Sequence, residues 1–97
     1  MSGRYLRNVS ISKLEGFLEL ALCQFKSNEK GHCKYTRSDL NRPVVFQNHI
    51  DPVPEFIVKN ILRLFPYSKD DFYDILEGNK KVIKAGPKTF TLKSNDQ

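Results

Sequence analysis

Residues 24–37 read QFKSNEKGHCKYTR, and this stretch decides the fold. Gln24 to Asn28 reads as a short strand with Phe25 pointing inward. Asn28-Glu29-Lys30-Gly31 is a turn with glycine at its end. His32 to Arg37 alternates and reads as a second strand. Its successive side chains point to opposite faces, so His32, Lys34 and Thr36 share one and Cys33, Tyr35 and Arg37 the other. The Tyr35 face is expected to pack on helices, which leaves His32 and Lys34 on the open side of the sheet or its rim. Ser38 to Asn41 is a loop. Pro43 opens a third strand, Val44 to Ile50, where proline is tolerated at the first position. Three short strands with such brief connections form an antiparallel meander.

The flanking segments read as helices. Ser12 with Glu15 fits a capping box, and Leu14, Phe17, Leu18, Ala21 and Leu22 recur at helical spacing, so the first helix is expected from Ser12 to Cys23. Residues 1–9 read as a frayed or extended lead-in. Asp51-Pro52-Val53-Pro54 stops the third strand and starts a second helix, with Ile57, Ile61, Leu64 and Phe65 as its apolar stripe and Pro66 as its end. Ser68 with Asp71 caps a third helix, with Phe72, Ile75 and Leu76 inward and Gly78 past its end. Lys80 to Gln97 reads either as two short strands, Val82 to Lys84 and Thr89 to Leu92, or as a basic tail that orders on a partner. The expected fold is an α+β two-layer sandwich, α-β-β-β-α with an additional C-terminal helix. That is the layout of double-stranded-RNA-binding folds. Residues 1–78 are expected to form the domain and 79–97 a basic extension.

A chain of 97 residues has room for one modest core and one binding face, which excludes an enzyme with separate substrate and nucleotide domains. No apolar run is long enough for a membrane helix, and no apolar signal core precedes Ser12, so a cytoplasmic protein is expected. Cys23 and Cys33 read as free thiols, buried or half-buried. Two histidines and no clustered acids offer too few ligands for a structural zinc site, and no cofactor is expected. The net charge of +5 is unevenly spread. Residues 26–42 carry five bases against two acids, residues 51–79 six acids against three bases, and residues 80–93 five lysines with no acid. The first and last of these attract polyanions.

The chemistry-bearing residues cluster at the hairpin turn. Gly31 lets the backbone come close to a ligand and leaves His32 at the mouth of a strand. Lys30 and Lys34 put positive charge beside it. Metal-free RNA cleavage asks for a base to take the proton of a 2′-hydroxyl, an acid for the leaving 5′-oxygen, and cations for the phosphorane. Histidine suits the first two roles and lysine the last. His49, the other histidine, lies toward the His32 end of the sheet. It reads either as the second acid/base group or as a structural residue that fixes the turn through Asp51 or a backbone group.

Lys30-Gly31-His32-Cys33-Lys34-Tyr35 resembles the glycine–serine–histidine turn and following aromatic of the HicA toxins, although the serine is absent here. The stretch from Asn41 to Arg63, with His49 ending the third strand, resembles a branch of HicA-like proteins, and Ser68-Lys69-Asp70-Asp71-Phe72 resembles their serine-started last helix. The resemblance covers about residues 10–78. It implies a double-stranded-RNA-binding-like fold and a ribosome-independent, metal-independent endoribonuclease that cleaves mRNA. His32 would be the catalytic residue and Gly31 the turn glycine. It also implies a HicB-type antitoxin that covers the active face. Beside this stand two other readings. One is a non-catalytic RNA-binding module that uses Lys26, Lys30, Lys34 and the tail lysines. The other is a protein-interaction domain held by a charge-complementary partner.

Overall fold

The computed structural model describes residues 5–94, and the sequence expectations for residues 1–4 and 95–97 lie outside them. Helix α1 spans Ile11–Leu20. Its N-cap is Ser10, whose hydroxyl accepts from the Lys13 amide at 3.0 Å. The expected start at Ser12 with a Ser12–Glu15 capping box is therefore displaced. The cause is a contact from far along the chain: the Ile11 amide donates to Asp51 Oδ1 at 3.1 Å, which holds an orphan amide of the first turn. At the other end the helix stops at Leu20, short of Cys23. Leu22 takes a left-handed φ of 66°, its amide donates to Glu19 O, and the Cys23 amide donates to Leu18 O. This is a Schellman closure built without glycine. The lead-in is also more than a frayed end. Leu6 and Val9 are buried, and Val9 bridges Val53.

Strands β1 (Gln24–Glu29), β2 (His32–Thr36) and β3 (Val44–Gln47) form an antiparallel sheet in the order β1-β2-β3. The alternation of β2 is as the residues dictate, with Cys33 and Tyr35 buried and His32 and Lys34 exposed. Arg37, just past the strand, is buried. Phe25 departs from expectation: it is 56% exposed. Its ring meets Tyr35 edge-on at 5.5 Å on the helix side, but β1 is an edge strand with a bulge between Phe25 and Ser27, and the ring lies past the rim of the covered face. Strand β3 ends at Gln47 and not at Ile50, and the chain turns through 48–52 toward the next helix.

Helix α2 (Glu55–Leu62) follows Pro54, and α3 (Lys69–Glu77) follows Ser68. The Ser68–Asp71 capping box forms in both directions, and Gly78 closes α3 at a left-handed φ of 84°. Helix α2 is rotated from the expected stripe. Val58, Ile61, Leu62 and the following Phe65 are buried, Ile57 and Leu64 are half-buried, and Phe56 is 65% exposed. Strands β4 (Lys80–Gly86) and β5 (Thr89–Ser94) pair as a separate antiparallel hairpin, so the strand alternative for this segment holds. Val82 packs into the core, Lys80 Nζ reaches Asp71 Oδ1 at 2.8 Å, and Ser38 Oγ donates to Pro87 O. The architecture is thus α+β, with three helices and two antiparallel sheets among the described residues. No described helix is long and apolar enough to cross a membrane.

Phe17 of α1 is the centre of the core, fully buried, with Phe72 at 4.7 Å, Phe65 at 5.7 Å and Tyr67 at 6.3 Å between ring centroids. Beside it lies the guanidinium of Arg37, whose side chain is 1% exposed. Nε and Nη2 donate to the two oxygens of Asp39 at 2.7 and 2.8 Å, and Nη1 donates to Ala21 O and Tyr67 Oη at 3.0 and 2.9 Å. The Arg37 hydrogen bond outweighs burial and holds the Asp39 carboxyl below its ordinary range. A carboxylate depressed in the fold contributes stability that is present above its unfolded pKa of ~3.9 and lost as pH falls through the lower folded value. Asp39→Asn leaves a buried cation without its counter-charge and should cost about 3 kcal/mol at neutral pH. Urea denaturation at several pH values checks this, and the gap between wild type and variant should narrow below pH ~4.

Candidate active site on the hairpin turn

Lys30 and Gly31 form the two-residue loop between β1 and β2, at φ 54° and 81°. Positive φ at both central positions matches the right-handed twist of the flanking strands, as in type I′ hairpin turns. Glycine takes such a φ freely, whereas lysine does so at a cost of about 1–2 kcal/mol. His32 is the first residue of β2, paired with Glu29 on one side and Gln47 on the other. Lys34, two residues on, pairs with Ser27 and Val45 and projects from the same open face.

His49 comes to this turn from the β3–α2 connection. The Asn48 amide donates to Gly31 O at 2.8 Å, and Asn48 Nδ2 donates to Asn28 Oδ1 at 2.7 Å. These bonds lay the connection across the end of the hairpin. The His49 ring then sits against the Gly31 backbone, where a Cβ on residue 31 would be 3.1 Å from Nδ1 and 3.4 Å from Cε1. Gly31 therefore serves both the turn and the approach of the second imidazole. Of the residues picked out in the sequence, Lys30, Gly31 and His32 are consecutive at the turn, Lys34 shares the open face with His32, and His49 lies against Gly31. Asp51 does not pair with His49 in any contact on this turn; its Oδ1 accepts from Ile11.

Sequence reasoning missed two parts of this end of the sheet. Asn48 and Asn28 tie the turn together, and only their cross-chain pairing reveals it. A groove of about 260 Å³ also opens beside His32, walled by Val45, Gln47, Ile50, Phe56 and Ile57. Phe56 could have been noticed as an aromatic next to the start of α2, but its exposure depends on the helix rotation. The thiols offer no competing nucleophile. Burial, joined by Glu15, raises the Cys33 thiol, which lies 3.9 Å from Glu15 Oε2. Burial pushes Cys23 up to about 11. Among the described residues, no three His, Cys, Asp or Glu side chains converge as metal ligands.

No family model, curated protein or solved structure matches the chain.

Gly31→Ala tests the double duty of the turn glycine. It should destabilise the protein by about 1–2 kcal/mol through the left-handed φ. It should also displace the His49 ring, seen as a shift of the His49 imidazole resonances larger than that of any core methyl.

Proposed function

We propose that this protein is a HicA-like mRNA interferase, the toxin of a type II toxin–antitoxin pair: an endoribonuclease that works in the cytoplasm without a metal or small-molecule cofactor and is silenced by a HicB-type antitoxin over the His32 face. On this reading α1, the β1-β2-β3 meander and α2, with α3 as the additional C-terminal helix, are its double-stranded-RNA-binding-like domain, and the β4–β5 hairpin is the extension. The observation that carries the proposal is that the second histidine packs on Gly31, the residue that precedes the exposed His32. His32 stands exposed on the open face, and the ring of His49 lies against the backbone of Gly31 beside it. Two imidazoles and two lysines on this turn and the strand that follows are the residue types that metal-free RNA cleavage requires.

In the proposed reaction His32, neutral, takes the proton of a ribose 2′-hydroxyl. The oxygen attacks the adjacent phosphorus and the P–O5′ bond breaks, leaving a 2′,3′-cyclic phosphate. His49, protonated, gives its proton to the departing 5′-oxygen. Lys30 and Lys34 bind the phosphate and offset the charge of the phosphorane. Lys30 at a positive φ supports the reading, because strain held at a turn tip is often kept for a functional side chain. Acids begin both later helices, Glu55 on α2 and Asp70 and Asp71 on α3, where binders of double-stranded RNA need cations. This favours single-stranded mRNA as the target.

The test is incubation of the purified protein with a defined mRNA in the presence of chelator. Wild type should cleave, and His32→Ala should lower the rate by about 10²–10⁴-fold while the fold is unchanged. A wild type that cleaves nothing between pH 6 and 9, yet still binds RNA, would leave a binding module in place of the enzyme.

A further inference from the structure

Helix α2 advances 100° per residue, so Phe56, Lys59, Asn60 and Arg63 fall on one side of it. All four are exposed, Phe56 to 65% and the Lys59 side chain to 53%. One end of this ridge is the groove beside His32, which Phe56 walls. The other end, about 10 Å further along the helix axis, is a cleft of about 450 Å³ lined by Lys59, Arg63 and Lys69 over a floor that includes Leu6 and Pro66. Next to that cleft the half-exposed ring of Tyr5 has two cations near it, Arg7 at 4.8 Å and Lys69 at 5.7 Å from its centroid. The fold thus gathers Arg7, Lys59, Arg63 and Lys69 from three separate segments and places an open aromatic ring at each end of the row.

We infer that this ridge is a track for single-stranded RNA, leading from the His32 groove along α2 to Tyr5. A base stacks on Phe56, the phosphates that follow meet Lys59 and Arg63, and a further base stacks on Tyr5 beside Arg7 and Lys69. Alternating stacking rings and cations is how single strands are held without sequence readout. The core of a protein interface favours aromatics and arginine, as Phe56 and Arg63 would suit, but it is depleted of lysine, and Lys59 and Lys69 stand among them. Glu55 pairs with Lys59 at 3.6 Å and offsets part of its charge, while Arg63 donates to the neutral Asn60 and Arg7 and Lys69 flank Tyr5.

The inference rests on the ribonuclease reading for the identity of the strand, but its test is binding alone. Fluorescence anisotropy would use a short labelled RNA made uncleavable by 2′-O-methylation. The double variant Lys59→Glu/Arg63→Glu should weaken binding at least tenfold. The neutral pair Lys59→Gln/Arg63→Gln should shrink the slope of log Kd against log salt by about 1.4, the share of two phosphates on a single strand. The neutral pair also keeps the test open if charge reversal unfolds the protein. Phe56→Ala should weaken binding by roughly tenfold, the scale of one stacked base. The effect of Phe56→Ala should vanish on an oligonucleotide abasic at the stacked position. The track is overturned if these variants bind like wild type, or if duplex RNA binds as tightly as the single strand. A concentration-dependent dimer that Phe56→Ala abolishes, with no RNA bound, also overturns it and assigns the face to a second copy. Binding that behaves as expected in a protein that cleaves nothing would keep the track and remove the ribonuclease. Cleavage with an unaltered KM in the variants would do the reverse.

Discussion

The Arg37 guanidinium is the constraint on which the rest of the structure depends. Taking such a cation out of water costs several kcal/mol unless every donor is answered. Here the answers come from separate parts of the chain: the end of α1 through Ala21, the β2–β3 loop through Asp39, and the α2–α3 connection through Tyr67. The Phe65, Tyr67 and Phe90 rings lie 4.9, 5.4 and 4.3 Å from it, which adds the β4–β5 hairpin to the set. Burial alone would lower the Arg37 pKa, but the bonds to Asp39 and Tyr67 more than reverse that and hold it charged. Only when all these segments are in place is the charge satisfied, so the site favours one mutual arrangement of them.

This anchor also explains why the His32 end of β2 can stay open. Arg37 lies five residues beyond His32, about 17 Å at the rise of an extended strand. The far end of β2 is fixed by charge and rings, and the middle by Cys33 and Tyr35 in the core. The near end needs only the Asn48 bonds and the Gly31 contact to be held. It can therefore expose His32, Lys34 and Lys30 without loosening the sheet. The Asp51 carboxylate, two residues past His49, locks the β3–α2 turn onto the start of α1. In this segment Asp51 fixes the turn through the Ile11 amide, while the His49 ring packs on Gly31.

What could be read from the sequence was whatever depends on neighbours along the chain. The alternation of β2, the turn at Gly31, and the Ser68, Asp71 and Gly78 punctuation of α3 are short-range signals, and each is where it should be. What could not be read was set from a distance. Ser10 is favoured over Ser12 as the α1 cap by an acceptor forty residues away. Leu22 closes the helix in a left-handed conformation that its residue type does not announce. Phe25 is inward by alternation, yet it stays open on β1, which is the edge strand of the sheet. At the candidate site, the face of His32 and Lys34 was legible from period-two alternation. The Asn28–Asn48 tie and the exposure of Phe56 were not, because both are set by how distant segments dock.

Charge shows the same division and carries the argument further. Counted along the chain, Arg37 and Lys80 belong to the basic segments, and residues 51–79 are acidic. In the fold Arg37 is buried against Asp39, and Lys80 lies 2.8 and 3.4 Å from Asp71 and Asp74. Burial would raise the Asp71 carboxyl, but Lys80 and the Ser68 amide reverse this and hold it low. These pairs take two cations and three acids of the described residues into structural work. The cations that remain exposed include Lys30 and Lys34 at the hairpin turn and Lys59, Arg63 and Lys69 around α2. A segment with a net negative count can thus present a positive ridge, because Lys80 engages Asp71 and Asp74 of α3 while α2 turns Lys59 and Arg63 to solvent. The sign a polyanion meets is therefore set in part by docking, and the Lys80 pairs that fasten β4 to α3 offset two of the acids that would have opposed it.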